Sequence, residues 1–321
     1  MRVIITGGTG AIGRMLAADL VKDGHEVIAL SRNPASAQDM PAGVKVEKWD
    51  AKTAAGWAHL ADGADAIVNL AGANLSSSRW SDERKQVILD SRVNAGKAVV
   101  EAVENAIKKP GVVIQSSAVG YYGPYSTERV TEALPPGRDY LADVCVQWEA
   151  STDAVEEMGV RRAIIRTGVV LDAGSGALQF MMVPFSLFTG GPVGPGTQPI
   201  PWIHPEDEVR AIRFLIENPD ASGPFNLAAP KGVTNAEFSN ILGKVMGRPS
   251  WLPLPSFAMK MLVGEVSFVL LKGQFAYPKR LEEMGFTFTY ATLEPALRDL
   301  LQGEPAFNME GVDNLRKLVF S

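Results

Sequence analysis

The 321-residue chain has one cysteine, three histidines and no basic surplus. A single cysteine excludes a disulfide framework and a cysteine-based zinc cluster. His25, His59 and His204 are scattered, so no multi-histidine metal site is expected. Lys and Arg number 31 against 36 Asp and Glu, a formal net charge of −5. That balance argues against nucleic acid as a partner, because the phosphate backbone demands a basic face. The longest apolar stretch, 257–271, is broken by Lys260 and Glu265. It falls short of the roughly 18 residues of a spanning helix, so no membrane partner is expected. Nor does the start read as a secretory signal, since Met1-Arg2 leads into a short apolar run that ends at two glycines. The expectation is a soluble protein of a reducing compartment, the cytoplasm. What is present is apolar matter, 46% hydrophobic against 21% charged, enough for a real core. The length fits one large domain or two ordinary ones.

The first half alternates strand and helix patterns. Arg2–Thr6, Glu26–Leu30, Val44–Trp49, Ala66–Leu70, Val112–Gln115 and Arg162–Arg166 read as short strands. Between them Ile12–Lys22, Ser81–Ala106 and Asp143–Met158 read as helices, the second with Val87, Leu89, Val93, Val99, Val100 and Val103 inward. Such alternation predicts an α/β fold, a doubly wound parallel sheet with helices on both faces. After Thr167 the texture changes. Residues 190–201 are a Gly/Pro loop, Asp207–Glu217 is helical, Phe225–Leu227 is a strand, and Asn235–Met246 is a helix behind a start signal at Thr234. The expected division is a dinucleotide domain over 1–170 with a return segment near 205–228. A smaller cap region covers 171–204 and 229–304, and a tail covers 305–321.

The strongest local signal is Thr6-Gly7-Gly8-Thr9-Gly10-Ala11-Ile12-Gly13. It follows a predicted strand and opens a predicted helix, the context that turns a glycine pattern into a dinucleotide fingerprint. One glycine permits the tight turn, another lets backbone approach a pyrophosphate, and a third lets helix and strand pack closely. The helix N-terminus then faces the negative charge. NAD binding would place an acid about 20 residues onward, for the ribose 2′-hydroxyl. Here that place reads Leu30-Ser31-Arg32-Asn33. Arg32 can pair with a 2′-phosphate and Ser31 can donate to it, so NADP(H) is favoured over NAD(H). Asp50 is a candidate for the adenine edge. Leu70-Ala71-Gly72, ending the fourth strand, are small enough for backbone to lie along a cofactor.

The fingerprint, Asn69-Leu-Ala-Gly72 and Gln115-Ser-Ser-Ala-Val-Gly-Tyr-Tyr-Gly123 together resemble the extended short-chain dehydrogenase/reductases, the sugar-nucleotide epimerase class. Arg79-Trp80, Lys85, Ser91-Arg92 and 140–149 resemble one subfamily, epimerase-family proteins of uncharacterised substrate that are sometimes labelled cell-division inhibitor homologues. Residues 273–290 resemble the small C-terminal module of that subfamily. The resemblance implies that Ser117 binds a reacting oxygen. It places Ser116, Thr167, Gly168 and Val169 along the cofactor, the last three at the nicotinamide carboxamide. Asn94 would serve structurally or in proton relay, and the motif of His204 would close the substrate side. Arg79 and Trp80 are candidates for an anionic or sugar-like ligand, through pairing and stacking.

One departure matters. The class uses Tyr-x-x-x-Lys, but here Tyr140 is followed four positions on by Val144, and the alternative register pairs Leu141 with Cys145. Neither has the lysine that lowers a tyrosine pKa. Cys145 on an apolar helix reads as packing. Tyr121 and Tyr122 lie where a phenol could replace the missing one. Two readings therefore stand. One is NADP(H)-dependent oxidoreductase or epimerase-like chemistry on a small carbonyl, hydroxyl or nucleotide-sugar-like substrate. The other is an NADP-binding sensor or interaction protein without turnover. The sequence leaves the oligomeric state open.

Overall fold

A computed structural model describes residues 1–302 apart from 38, 125–127, 175 and 268–270. The expected tail, 305–321, lies outside the described residues. The strands are β1 Arg2–Thr6, β2 Glu26–Ser31, β3 Lys45–Lys48, β4 Ala66–Asn69, β5 Val112–Ala118, β6 Arg129–Val130, β7 Arg161–Thr167, β8 Val169–Val170, β9 Pro199–Ile200, β10 Trp202–Ile203, β11 Gly223–Leu227, β12 Val233–Thr234 and β13 Phe275–Ala276. Seven of them form one parallel sheet in the order β11-β7-β5-β4-β1-β2-β3. Two-stranded ribbons β10-β8, β12-β9 and β13-β6 stand beside it. Parallel strands buried on both faces read as continuous apolar runs, which is why Val3-Ile4-Ile5 and Ile67-Val68 are fully buried.

The helices that frame the site are α1 Ala11–Lys22, α2 Ala58–Ala61, α3 Asp82–Asn105, α4 Tyr140–Ala150, α5 Ala154–Glu157, α6 Gly176–Ser186, α7 Pro205–Glu217, α8 Asn235–Met246 and α9 Ser256–Val263. α1 and α7 cover one face of the sheet, with Leu16, Leu20, Ile212 and Leu215 in one core with β1 and β5. α3 covers the other face, with Val99 and Val103 fully buried as the periodicity predicts but Val87 49% exposed; the inward residues also include Ile88, Arg92, Ala95 and Gly96. Small residues dominate that face because the helix packs closely; a Cβ on Gly96 would lie 1.8 Å from Ser151 Oγ. The expected helix 143–158 is two pieces. α4 begins earlier because Asp139 accepts from the amides of Leu141 and Ala142 at 2.9 and 3.1 Å.

The chain beyond Thr167 supplies the cap and then returns. α8 starts on a capping box between Thr234 and Glu237. α6, with Pro184 inside it, was not foreseen in the sequence. β11 extends the main sheet beside β7. The C-terminal module seals that side. Arg280 Nη1 donates to the Pro224 carbonyl at 2.7 Å, and Asn226 Nδ2 donates to the Tyr277 carbonyl at 3.0 Å. Asp207 in α7, fully buried, accepts from the amides of Thr289 and Tyr290, both at 2.8 Å.

Candidate active site

The strand order reverses direction between β1 and β4, since β2 and β3 lie to one side of β1 and β4 to the other. Loops diverge at such a point and leave a crevice at the carboxyl ends of the strands. The loop after β1 lines it. Gly7 has φ +65°, and a Cβ there would sit 2.9 Å from the Leu70 carbonyl at the end of β4. A Cβ on Gly13 would meet the Gly7 carbonyl and the Gly8 Cα, both at 2.6 Å. Only glycine lets α1 press its first turn against this loop. α1 begins at Gly10 with no side-chain cap and no acid in its first turn, so its leading amides stay free for an anion. Thr9, Gly10, Ala11 and Ile12 are all at least partly open to solvent. The Gly10 amide closes the turn onto the Gly7 carbonyl at 2.9 Å, so the cradle fits a dinucleotide pyrophosphate through the leading amides of α1, Ala11, Ile12 and Gly13.

Thr6 is placed differently. It is fully buried, and its hydroxyl donates to Asn69 Oδ1 at 2.6 Å. Asn69 Nδ2 donates onward to Gln115 Oε1 at 2.8 Å, and Gln115 Nε2 to the Ser116 carbonyl at 2.7 Å. The Thr6 hydroxyl also accepts from the Ala71 amide at 3.3 Å. This buried chain ties the ends of β1, β4 and β5 together, so Thr6 shapes the crevice floor and does not face it. Ser91 and Arg92 brace the same loop. The Ser91 hydroxyl accepts from the Ala73 amide at 2.9 Å, and Arg92 Nη1 donates to the Ala73 carbonyl at 3.2 Å.

At the end of β2, Ser31 Oγ accepts from the Asn33 amide at 3.2 Å, while Arg32 is exposed and forms no ion pair among the described residues. Asp50 is engaged by its own loop, accepting from the amides of Lys52 and Thr53 at 2.7 and 2.8 Å. Burial opposes its ionisation, yet those amides hold its carboxyl below the ordinary value. Thr167 Oγ1 donates to Glu208 Oε1 at 2.8 Å. Gly168 is dictated by the Pro201 carbonyl, which a Cβ would approach to 2.5 Å. Val169 donates its amide to the same carbonyl at 2.6 Å.

The residues expected to move protons are locked into a buried network. The Ser117 hydroxyl donates to Glu149 Oε1 at 2.6 Å. Glu149 is held by Arg166 in a two-pronged pair, both contacts 2.9 Å. Arg166 Nη1 donates to the Tyr122 hydroxyl at 3.0 Å, and that hydroxyl donates to Asn226 Oδ1 at 2.6 Å. Tyr122 is fully buried, and burial pushes its hydroxyl up to about 12 against the pull of Arg166. Tyr122 is therefore corrected from a candidate proton donor to a structural residue. Ser117, with its proton already given to a carboxylate, cannot also donate to a substrate carbonyl. Tyr121 differs. Its ring lies 3.4 Å from the Arg166 guanidinium, and its half-buried hydroxyl has no partner among the described residues. Cys145 is buried on α4, and burial pushes its thiol up to about 12.

The expected substrate residues part company. His204 is buried as the N-cap of α7, accepting from the Glu206 amide at Nδ1. It stacks on Tyr290 at 3.7 Å, and its Nε2 lies 3.3 Å from Asp299. A histidine so enclosed, its pKa lowered by burial, organises the start of α7. Asn94 is half-buried on α3. Arg79 is exposed and donates to the Met261 carbonyl of α9 at 3.1 Å. Trp80 does line a cavity of about 570 Å³, walled also by Tyr140, Leu141 and Leu271. The Tyr140 hydroxyl donates to the Lys85 carbonyl at 2.9 Å, so it points away from reaction chemistry.

The sequence reading overlooked Glu149, Arg166, Asn226 and Glu208. An arginine inside the apolar run of β7 was the available signal for the first two, since a buried guanidinium requires an acid. Among the described residues no group of three or more His, Cys, Asp or Glu could hold a metal ion. Among them, too, no helix is long and apolar enough to cross a membrane.

A parallel sheet with a glycine cradle at its switch point defines a dinucleotide-binding protein of the Rossmann class. The chain belongs to the NAD dependent epimerase/dehydratase family, whose model matches residues 3–228. A second model, Domain of unknown function (DUF1731), matches residues 254–300. The family binds a nicotinamide cofactor. The chain is 41% identical over 310 residues to the epimerase family protein SDR39U1 homolog, chloroplastic, of Arabidopsis thaliana, covering 94% of this chain and 87% of that protein. It is 38% identical over 302 residues to the epimerase family protein YfhF of Bacillus subtilis, covering 94% and 98%. Among solved structures it resembles human epimerase family protein SDR39U1 (isoform2) with NADPH, at a TM-score of 0.84 and 33% identity, covering 94% of this chain and all of that one.

Proposed function

We propose that the protein binds NADP(H) in preference to NAD(H) and works in the cytoplasm as an oxidoreductase or epimerase-like enzyme on a small carbonyl or hydroxyl compound. The observation that carries the cofactor choice is the exposed guanidinium of Arg32 at the end of β2, with no ion pair among the described residues, where an acid for the ribose hydroxyls is missing. A similar protein solved with NADPH supports it. When bound, the cofactor supplies hydride chemistry. The chain supplies the glycine cradle, Arg32 and Ser31 for the 2′-phosphate, Ser116 and 167–169 along the nicotinamide half, and Tyr121 as the phenol whose hydroxyl has no partner among the described residues.

The second reading, NADP binding without turnover, is favoured by one observation: the protons of Ser117 and Tyr122 are both committed inside the fold. Titration with NADPH and NADH, followed by nicotinamide fluorescence, tests the cofactor. Saturable binding of neither would refute it. Arg32→Ala is expected to weaken NADPH alone, and tighter binding of NADH by the unaltered protein would overturn the Arg32 argument. Screening carbonyl compounds for NADPH oxidation separates the two readings, with Tyr121→Phe expected to lose turnover and keep cofactor binding.

A further inference from the structure

We propose that the 570 Å³ cavity between α4 and α9 takes a small organic acid with an aromatic or alicyclic body, and not a polyhydroxylated sugar. The volume is that of a small-molecule site, which runs roughly from 300 to 1,000 Å³. Its chemistry is set by which polar groups are still available. The inner walls are Trp80, in edge contact with Tyr140 at 5.5 Å, and the aliphatic Leu141 and Leu271. Both aromatic tips are spent. Trp80 Nε1 donates to the Leu75 carbonyl at 2.9 Å, and the Tyr140 hydroxyl donates to Lys85. A sugar entering here would bury hydroxyls against carbon, with few partners to replace water. A flat hydrocarbon ring would lose nothing and would gain an aromatic face.

The charges point the same way. Of the two acids in the lining, Glu265 pairs with Lys85 at 2.7 Å, whereas Asp139 accepts two amides through Oδ1 at the start of α4 and keeps its buried Oδ2 without a partner among the described residues. Lys260 and Lys272 also line the cavity, are exposed, and form no ion pair among the described residues. Two exposed lysines beside an apolar wall select a carboxylate or similar anion with its ring against Trp80. This rests on the reading of the protein as an enzyme of small molecules, and it deepens that reading by naming the substrate class.

The test uses the full chain and three probes in isothermal titration calorimetry, with and without saturating NADPH. The probes are 1-naphthoate, its neutral isostere 1-naphthamide, and glucose 6-phosphate. Naphthoate is expected to bind saturably and at least tenfold more tightly than naphthamide, with no saturable binding of the sugar phosphate. Lys260→Gln/Lys272→Gln should erase the preference for the acid and leave naphthamide binding intact. Trp80→Ala should weaken both aromatic probes several-fold. Equal affinity of acid and amide, a preference that survives the double lysine variant, or tighter binding of glucose 6-phosphate would each overturn the proposal. The wild-type comparison decides by itself if a variant fails to fold. Loss of NADPH binding with naphthoate retained would sink the cofactor reading and leave this one standing.

Discussion

Glu208 offers the sharpest test of the energetics behind the crevice. Its side chain is fully buried in the first turn of α7, and burial pushes its carboxyl up to about 8 despite the bond from Thr167. Its second oxygen, Oε2, has no hydrogen-bond partner among the described residues. Below the ordinary value of 4.5 the folded and unfolded states both hold the proton, and the group costs nothing. Between 4.5 and about 8 the unfolded chain releases its proton while the native state keeps it, so stability falls as pH rises. Above that window both are ionised and the loss is complete. At about 1.4 kcal/mol per pH unit, the window sets a ceiling of about 5 kcal/mol. Glu208→Gln keeps the acceptor for Thr167 and removes the titration. Urea denaturation of both proteins from about pH 5 to pH 9 should show the variant gaining stability over the parent as pH rises, approaching several kcal/mol at the alkaline end. Parallel profiles, differing by a constant amount, would refute the assignment of a neutral buried acid at this position.

Three other outcomes follow from the same geometry. Arg166→Met leaves Glu149 buried without its partner and should cost about 3–5 kcal/mol in denaturant unfolding; a loss below about 1 kcal/mol would show the pair to be dispensable. Tyr122→Phe strands Asn226 Oδ1 and one Arg166 nitrogen, so a destabilisation of about 1–3 kcal/mol is expected, with NADPH affinity unchanged. Gly13→Ala forces a Cβ to within 2.6 Å of the Gly7 carbonyl and should abolish saturable NADPH fluorescence while the circular dichroism spectrum stays native.

The α/β alternation was legible because buried parallel strands must be apolar along their whole length. Arg2–Thr6 could be bounded from sequence to the residue, and Asn235–Met246 likewise, since a capping box fixes its start. The inward face of α3 was legible only in part: Val99 and Val103 are buried as expected, but close packing selects alanine and glycine, which a hydrophobicity pattern overlooks in favour of Val87, which faces solvent. The glycine cradle was legible because backbone conformation dictates the residue type there. The fate of Ser117 and Tyr122 was not, because it depends on partners 32 and 104 residues away in sequence. Position in a motif could not reveal that Glu149 and Asn226 already hold their hydroxyls.

The seven-stranded sheet ends in two different edges. β3 is short and carries Lys45, Glu47 and Lys48, charges that discourage another chain from pairing alongside. β11, Gly-Pro-Phe-Asn-Leu, is guarded differently: Pro224 has no N–H to offer, the Asn226 amide donates to Glu132 Oε1 at 3.1 Å, and Phe225 and Leu227 are fully buried. The C-terminal module completes the cover through Arg280 and Tyr277. A chain cut before residue 254 would keep its nucleotide cradle but leave the Pro224 carbonyl and the Asn226 side-chain amide without those partners at the sheet edge. The module thus finishes the edge of the dinucleotide sheet as well as walling the cavity.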